Sequence, residues 1–237
     1  MDIKDLNIII KTINKKYPAK KSDSKVPILD VLIATKLSQN TTDKTSYIAF
    51  KNLKERFGNW DNVADARLKN IKSAIKVCGL TNTKAVQIKE MLRKMRKEYG
   101  KLDLNFLKKL KDEEIYNELL KYKGIGVKTV SCVLGFSLER KVFPVDTHIH
   151  RILNRIGIVR TKTPEQTFDK SKELIPNKYK MPFHTSLIKF GREICKAVKP
   201  LCYECLIYDY CGYDKKTEKY NPKKHVISNN FLILENI

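Results

Sequence analysis

The chain has 237 residues, long enough for one large domain or two modest ones, each with its own core. Lys and Arg number 48 against 26 Asp and Glu, a formal charge of +22, while 42% of residues are hydrophobic and no apolar run approaches a bilayer span. The balance excludes a membrane-embedded chain and favours a polyanionic partner, because each neutralised phosphate releases condensed counterions. Heat adaptation alone would raise Glu alongside Lys, and here the acids lag. The N-terminus alternates charged and apolar residues without a signal-peptide core, so a cytoplasmic protein sharing its compartment with the nucleoid is expected.

Helical periodicity dominates in chain order. Ile3, Leu6, Ile10 and Ile13 mark a first helix, followed by a polar, broken crossover segment over residues 17–24. Leu29, Leu32, Ile33 and Leu37 mark a second. Residues 43–57 are amphipathic through Tyr47, Phe50 and Leu53 and stop at Gly58; residues 68–77 and 85–99 follow, stopped by Gly79 and Gly100. Asp103 reads as the cap of a short helix, and Asp112 opens another that ends before Gly124. Thr163-Pro164-Glu165-Gln166 is a capping box with Pro in the first turn, which predicts a helix running to about Ile175. Residues 182–194 form the last long helix. Residues 213–219 are charged and expected to be mobile, whereas Phe231, Leu232 and Ile233 are apolar enough to dock on the body. Neither a repeat nor an alternating strand pattern is present, and the fold class is all-α.

Three segments carry chemistry. Cys195, Cys202, Cys205 and Cys211 are spaced C-x6-C-x2-C-x5-C after that last helix. In a reducing compartment clustered thiols read as ligands, and a single C-x2-C knuckle favours a [4Fe-4S] cluster over tetrahedral zinc. Cys78 and Cys132 sit in apolar helical contexts and read as inert core thiols. Gly124-Ile125-Gly126-Val127-Lys128 is a two-glycine turn between helices, whose second helix directs its first N–H groups outward toward a phosphate. Lys128, in the first turn of that helix, stands where the dipole and burial disfavour its charge, as a Schiff-base nucleophile needs. Asp146, in Val145-Asp146-Thr147-His148, precedes an amphipathic helix carrying Ile149, Ile152, Leu153 and Ile156 and so reads as its N-cap, a carboxylate held ionised and fixed in orientation.

Taken together and in this order, the hairpin with its lysine, the Val-Asp-Thr-His segment and the four cysteines resemble the endonuclease III family of helix-hairpin-helix DNA glycosylases, from about residue 26 to Cys211. The resemblance implies two helical domains with a DNA groove between them. One is a six-helix barrel domain with the helix-hairpin-helix over 26–140; the other is a discontinuous domain of 1–25 and 141–237, with the [4Fe-4S] loop at 195–211. It also implies Lys128 as nucleophile and Asp146 as activating carboxylate, facing each other across the groove. Leu37-Ser38-Gln39-Asn40-Thr41-Thr42-Asp43 is similar to the family stretch whose glutamine enters the space vacated by a flipped nucleotide, a role open here to Gln39 or Asn40. Gly79-Leu80-Thr81 resembles the loop whose leucine wedges the duplex, making Leu80 the wedge. Gly124, Ile125, Gly126 and Val127 would grip the backbone, and Lys196 and Lys199 would reach phosphates from the cysteine loop.

The implied activity is base-excision repair by a monomeric bifunctional glycosylase and AP lyase. It would bind double-stranded DNA carrying damaged bases, oxidised pyrimidines foremost, or abasic sites, and would cut 3′ to the abasic site by β-elimination. Two alternatives are a mismatch-specific glycosylase acting on T:G or on A opposite oxidised G, and a non-enzymatic hairpin DNA-binding module. The first usually lacks the lysine, and the second has no need of Lys128 with Asp146.

Overall fold

The computed structural model describes residues 3–20, 25–217 and 231–237. Among them are eleven α-helices, several short 3₁₀ turns and no strand. In order they are α1 (Ile3–Lys16), α2 (Ile28–Ser38), α3 (Asp43–Phe57), α4 (Trp60–Asp65), α5 (Leu68–Ala74) and α6 (Thr81–Tyr99). Then come α7 (Asp112–Leu120), α8 (Val127–Cys132), α9 (Thr147–Ile156), α10 (Pro164–Ser171) and α11 (Lys180–Glu193). The chain divides into two compact units, Ser22–Arg140 with Phe231–Ile237, and Met1–Lys21 with Lys141–Asn230.

In the first unit α2 is the centre, packing against α3, α6, α8, a π-helical turn at Val133–Ser137 and the C-terminal turn. It is buried on every face from Ile28 to Leu37 rather than along one stripe, and its two charged residues, Asp30 and Lys36, are buried with it. Asp30 accepts from Trp60 Nε1 at 2.6 Å and pairs with Lys54 at 3.2 Å, so the charge is partnered. Helix α4 is absent from the sequence reading. Its cause is local: the Asn59 side chain accepts from Asn62 N at 2.8 Å, a polar cap ahead of buried Trp60.

The periodic run 68–77 breaks after Ala74 into a 3₁₀ turn, Lys76–Cys78. The predicted extension of α10 to Ile175 is corrected: regular helix stops at Ser171, and Leu174 and Ile175 turn back onto the Ser171 carbonyl because Pro176 disfavours helical backbone before it. Leu232, Ile233 and Leu234 are buried, and Phe231 meets Tyr47 edge-on at 5.1 Å, so the tail joins the unit of α2 and α3, whereas the sequence reading assigned it to the other domain.

In the second unit α9 packs on α11 and α10, and α11 on α1. Ile149, Ile152, Leu153 and Ile156 are the buried stripe of α9. Gly191 lets α11 cross close: a Cβ there would press on Ile152 and His148 at 3.0–3.1 Å. Residues 213–217 were expected to be mobile and are pinned instead: Tyr213 lies under Arg155, Lys216 donates to Tyr208 O at 2.9 Å, and Thr217 donates to Pro200 O at 3.1 Å. The remainder of that stretch, 218–219, and residues 21–24 of the crossover segment lie outside the described residues.

Candidate functional site

The hairpin is built from its own backbone and from α2. Helix α7 ends at Leu120; buried Tyr122 accepts from Ile125 N at 3.0 Å, and Gly124 takes φ +79, open to glycine and strained for other residues. Gly126 caps α8 through its carbonyl, which accepts from Thr129 and Val130. Ile125 is buried beneath the turn and Val127 half-buried. Lys128 follows in the first turn of α8, half-buried.

Around the turn lie three candidates for DNA contact, at the end of α2 and the start of α6. Gln39 donates to Gly124 O at 3.1 Å, while Asn40 is exposed with φ +52. Leu80 is 56% exposed with φ +46. Behind it, buried Lys84 donates to Leu37 O at 2.7 Å and Cys78 O at 2.9 Å, tying the end of α2 to the start of the Leu80 loop. Burial lowers the Lys84 ammonium from its ordinary range. Cys78 and Cys132 are buried in this unit, in line with core thiols.

In the other unit Asp146 caps α9, its carboxylate accepting from Ile149 N at 2.9 Å. Its approach is fixed by a residue that sequence reasoning missed: buried His184 of α11 donates through Nδ1 to Pro144 O at 2.8 Å, beside stacked Phe143 and Phe183. His148, next to Asp146, is shifted below the usual histidine range, first by burial, then by Arg151 and Arg192 against the opposing pull of Asp146. Arg151 lies 3.1 Å from His148 Nδ1, so the neutral imidazole accepts there.

Helix α9 links Asp146 to the cysteines. Arg151 donates to Cys195 O at 2.8 and 3.1 Å and to Gly191 O at 3.0 Å; Arg155 donates to Lys196 O at 2.6 Å and Ala197 O at 2.9 Å. Lys199 is exposed with φ +51, and Lys196 is half-buried. Cys195, Cys202, Cys205 and Cys211 line one pocket with Ile156, Phe190, Ile194 and Ile207. Among the described residues no three His, Cys, Asp or Glu converge on a position for one metal ion. The donor set, four half-buried thiols among apolar walls, fits an iron–sulfur cluster. Burial pushes the Cys205 thiol up to about 12 and raises Cys211, and neighbouring cysteines add to both, so thiolates there need a cationic centre among them.

Residues 33–177 match the HhH-GPD superfamily of base excision DNA repair proteins, and the chain belongs to that family. It is a DNA glycosylase of the endonuclease III branch, whose members are glycosylases and AP lyases. It is 36% identical over 189 residues to endonuclease III of Thermotoga maritima, covering 80% of this chain and 84% of that one. Identity to endonuclease III of Sulfolobus acidocaldarius is 35% over 189 residues, 78% and 82% of the two chains. The Arabidopsis thaliana protein named "Putative DNA glycosylase At3g47830" is 42% identical over 173 residues, 73% of this chain but 59% of that longer one. The fold is similar to the protein in a non-covalent endonuclease III–DNA complex, with TM-score 0.76 and 24% identity over 89% of this chain and 95% of that one. No described helix is long and apolar enough to cross a membrane.

Proposed function

We propose that this chain binds damaged duplex DNA and acts as a bifunctional glycosylase and AP lyase on oxidised pyrimidines. Lys128 is the nucleophile. Its neutral amine attacks C1′ of an extruded nucleotide; the Nζ–C1′ bond forms as the glycosidic bond breaks, and the base leaves with a proton. Opening of the sugar gives an iminium, loss of a C2′ proton expels the 3′ phosphate by β-elimination, and water then frees the lysine. The Asp146 carboxylate, fixed by its cap bond, stabilises the positive charge that develops on the sugar. Asn40 and Leu80 act on the duplex side, and Lys196 and Lys199 on phosphates.

Cys195, Cys202, Cys205 and Cys211 would hold a [4Fe-4S] cluster. Bound there, the cluster would supply positive charge to the thiolates and rigidity to the basic loop. Arg151 and Arg155 already anchor that loop to α9.

The observation that carries the reading is a half-buried lysine two residues past the Gly126 cap, in a member of a base-excision family. The test is borohydride trapping on duplexes carrying thymine glycol, dihydrouracil, uracil, 8-oxoguanine, T:G or an abasic site. A covalent adduct is expected with the wild type, strongest for oxidised pyrimidine and abasic DNA, and none with Lys128→Ala. An undiminished adduct in Lys128→Ala would remove Lys128 from the role.

A further inference from the structure

We infer that Lys36 and Gln39 form a latch, positioning residues that seat the hairpin turn on α2 and thereby set the affinity for duplex DNA. The inference rests on the reading of Gly124–Gly126 as the phosphate-gripping turn. Lys36 is fully buried among the apolar residues of α2, where leucine would sit at no electrostatic cost. Its Nζ donates to Lys123 O at 2.9 Å, across 87 residues of chain. Three residues on, Gln39 donates to the next carbonyl, Gly124 O, at 3.1 Å.

Two consecutive carbonyls are thus drawn toward α2. In a trans peptide N–H points opposite to C=O, so holding the Lys123 carbonyl inward turns the Gly124 N–H away from α2. The glycine belongs to the same device. A Cβ on Gly124 would meet the Lys36 ammonium and the Gln87 side-chain oxygen, so the glycine lies directly against the buried lysine. A turn fixed before DNA arrives loses no ordering entropy on binding, whereas an unlatched one must be ordered by the duplex itself.

The test compares wild type, Lys36→Met, Gln39→Ala and the double variant by duplex affinity across a salt series and by single-turnover trapping on saturating abasic duplex. Each single substitution is expected to weaken duplex binding roughly ten-fold, as for the loss of one anchoring hydrogen bond. The double variant should bind no more weakly than Lys36→Met, the rate at saturation should hold in Lys36→Met, and the salt slope should be unchanged. Gln39 is exposed, so Gln39→Ala keeps its fold and stands alone if Lys36→Met does not. Losses that multiply, an unchanged affinity, a salt slope lower by about one, or a fall in the saturating rate of Lys36→Met would each overturn the latch. A wild type that binds no duplex would instead sink the reading of the hairpin itself.

Discussion

A buried ammonium leaves a signature in stability, and Lys36→Met exposes it. Burial lowers the Lys36 pKa from 10.5 to about 8. At roughly 1.4 kcal/mol per unit, the charged form costs the fold about 3 kcal/mol wherever the amine is protonated in both states, below about pH 8. Between that value and 10.5 the unfolded chain binds the proton and the native amine does not, so stability rises with pH through this window. Methionine abolishes the dependence and leaves the Lys123 carbonyl without its donor, a loss of about 1–3 kcal/mol. The two effects nearly cancel at pH 7, where the variant should lie within about 2 kcal/mol of wild type. By pH 10.5 the balance should have moved by about 3 kcal/mol in favour of wild type. Urea unfolding followed by Trp60 reads this directly, since Trp60 is the sole tryptophan, is buried, and belongs to the same unit as Lys36. A wild-type-minus-variant difference that stays flat from pH 7 to 10.5 would refute the reasoning, whatever its size.

The other expectations concern the second unit. Asp146→Asn keeps an acceptor for Ile149 N, so its unfolding midpoint should match wild type within about 0.5 kcal/mol, while trapping on abasic DNA falls at least about 100-fold; equal trapping would reduce Asp146 to a cap. Because His148 is held below the histidine range, the native state resists a proton that the unfolded chain accepts below about pH 6.5, and stability falls on acidification through that value. His148→Gln should flatten this acid limb in unfolding measurements made between pH 7 and 5, and an unaltered limb would contradict the assignment. Cys205→Ser should cost the protein its broad visible absorbance and weaken duplex binding, with trapping at saturating DNA retained; a colourless, zinc-loaded wild type would overturn the cluster.

What the sequence discloses is what local chemistry decides. The Asp146 and Thr163 caps, the stops at Gly58 and Gly100, and the stripe of α9 each depend on residues within a turn or two, and each stands where the pattern put it. The ties that shape the site escape such reading because their partners are remote. Lys36 reaches Lys123, Lys84 reaches Leu37 and His184 reaches Pro144, across 87, 47 and 40 residues. In a chain this rich in lysine, one more lysine carries no sign of burial. A sign did exist in α2, however: from Ile28 to Leu37 only Asp30 and Lys36 are charged and only Thr35 is otherwise polar, and a helix apolar on every face buries its charges too.

Backbone geometry bears on what the motif left open between Gln39 and Asn40. Five described non-glycine residues take positive φ: Asn40, Leu80, Leu104, Glu139 and Lys199. Three of them are residues the sequence singled out for DNA contact, and left-handed backbone costs a side-chain-bearing residue about 1 kcal/mol or more. Asn40 is exposed at such a tip, whereas the amide of Gln39 is engaged with Gly124 O. The geometry therefore favours Asn40 as the side chain entering the vacated base position and Gln39 as its support. The two roles separate kinetically: Asn40→Ala should slow base release at saturating lesion duplex and leave undamaged-duplex affinity intact, and Gln39→Ala should do the reverse. If Gln39→Ala slowed base release while Asn40→Ala did not, the strained asparagine would be only a loop tip and the glutamine would be the plug.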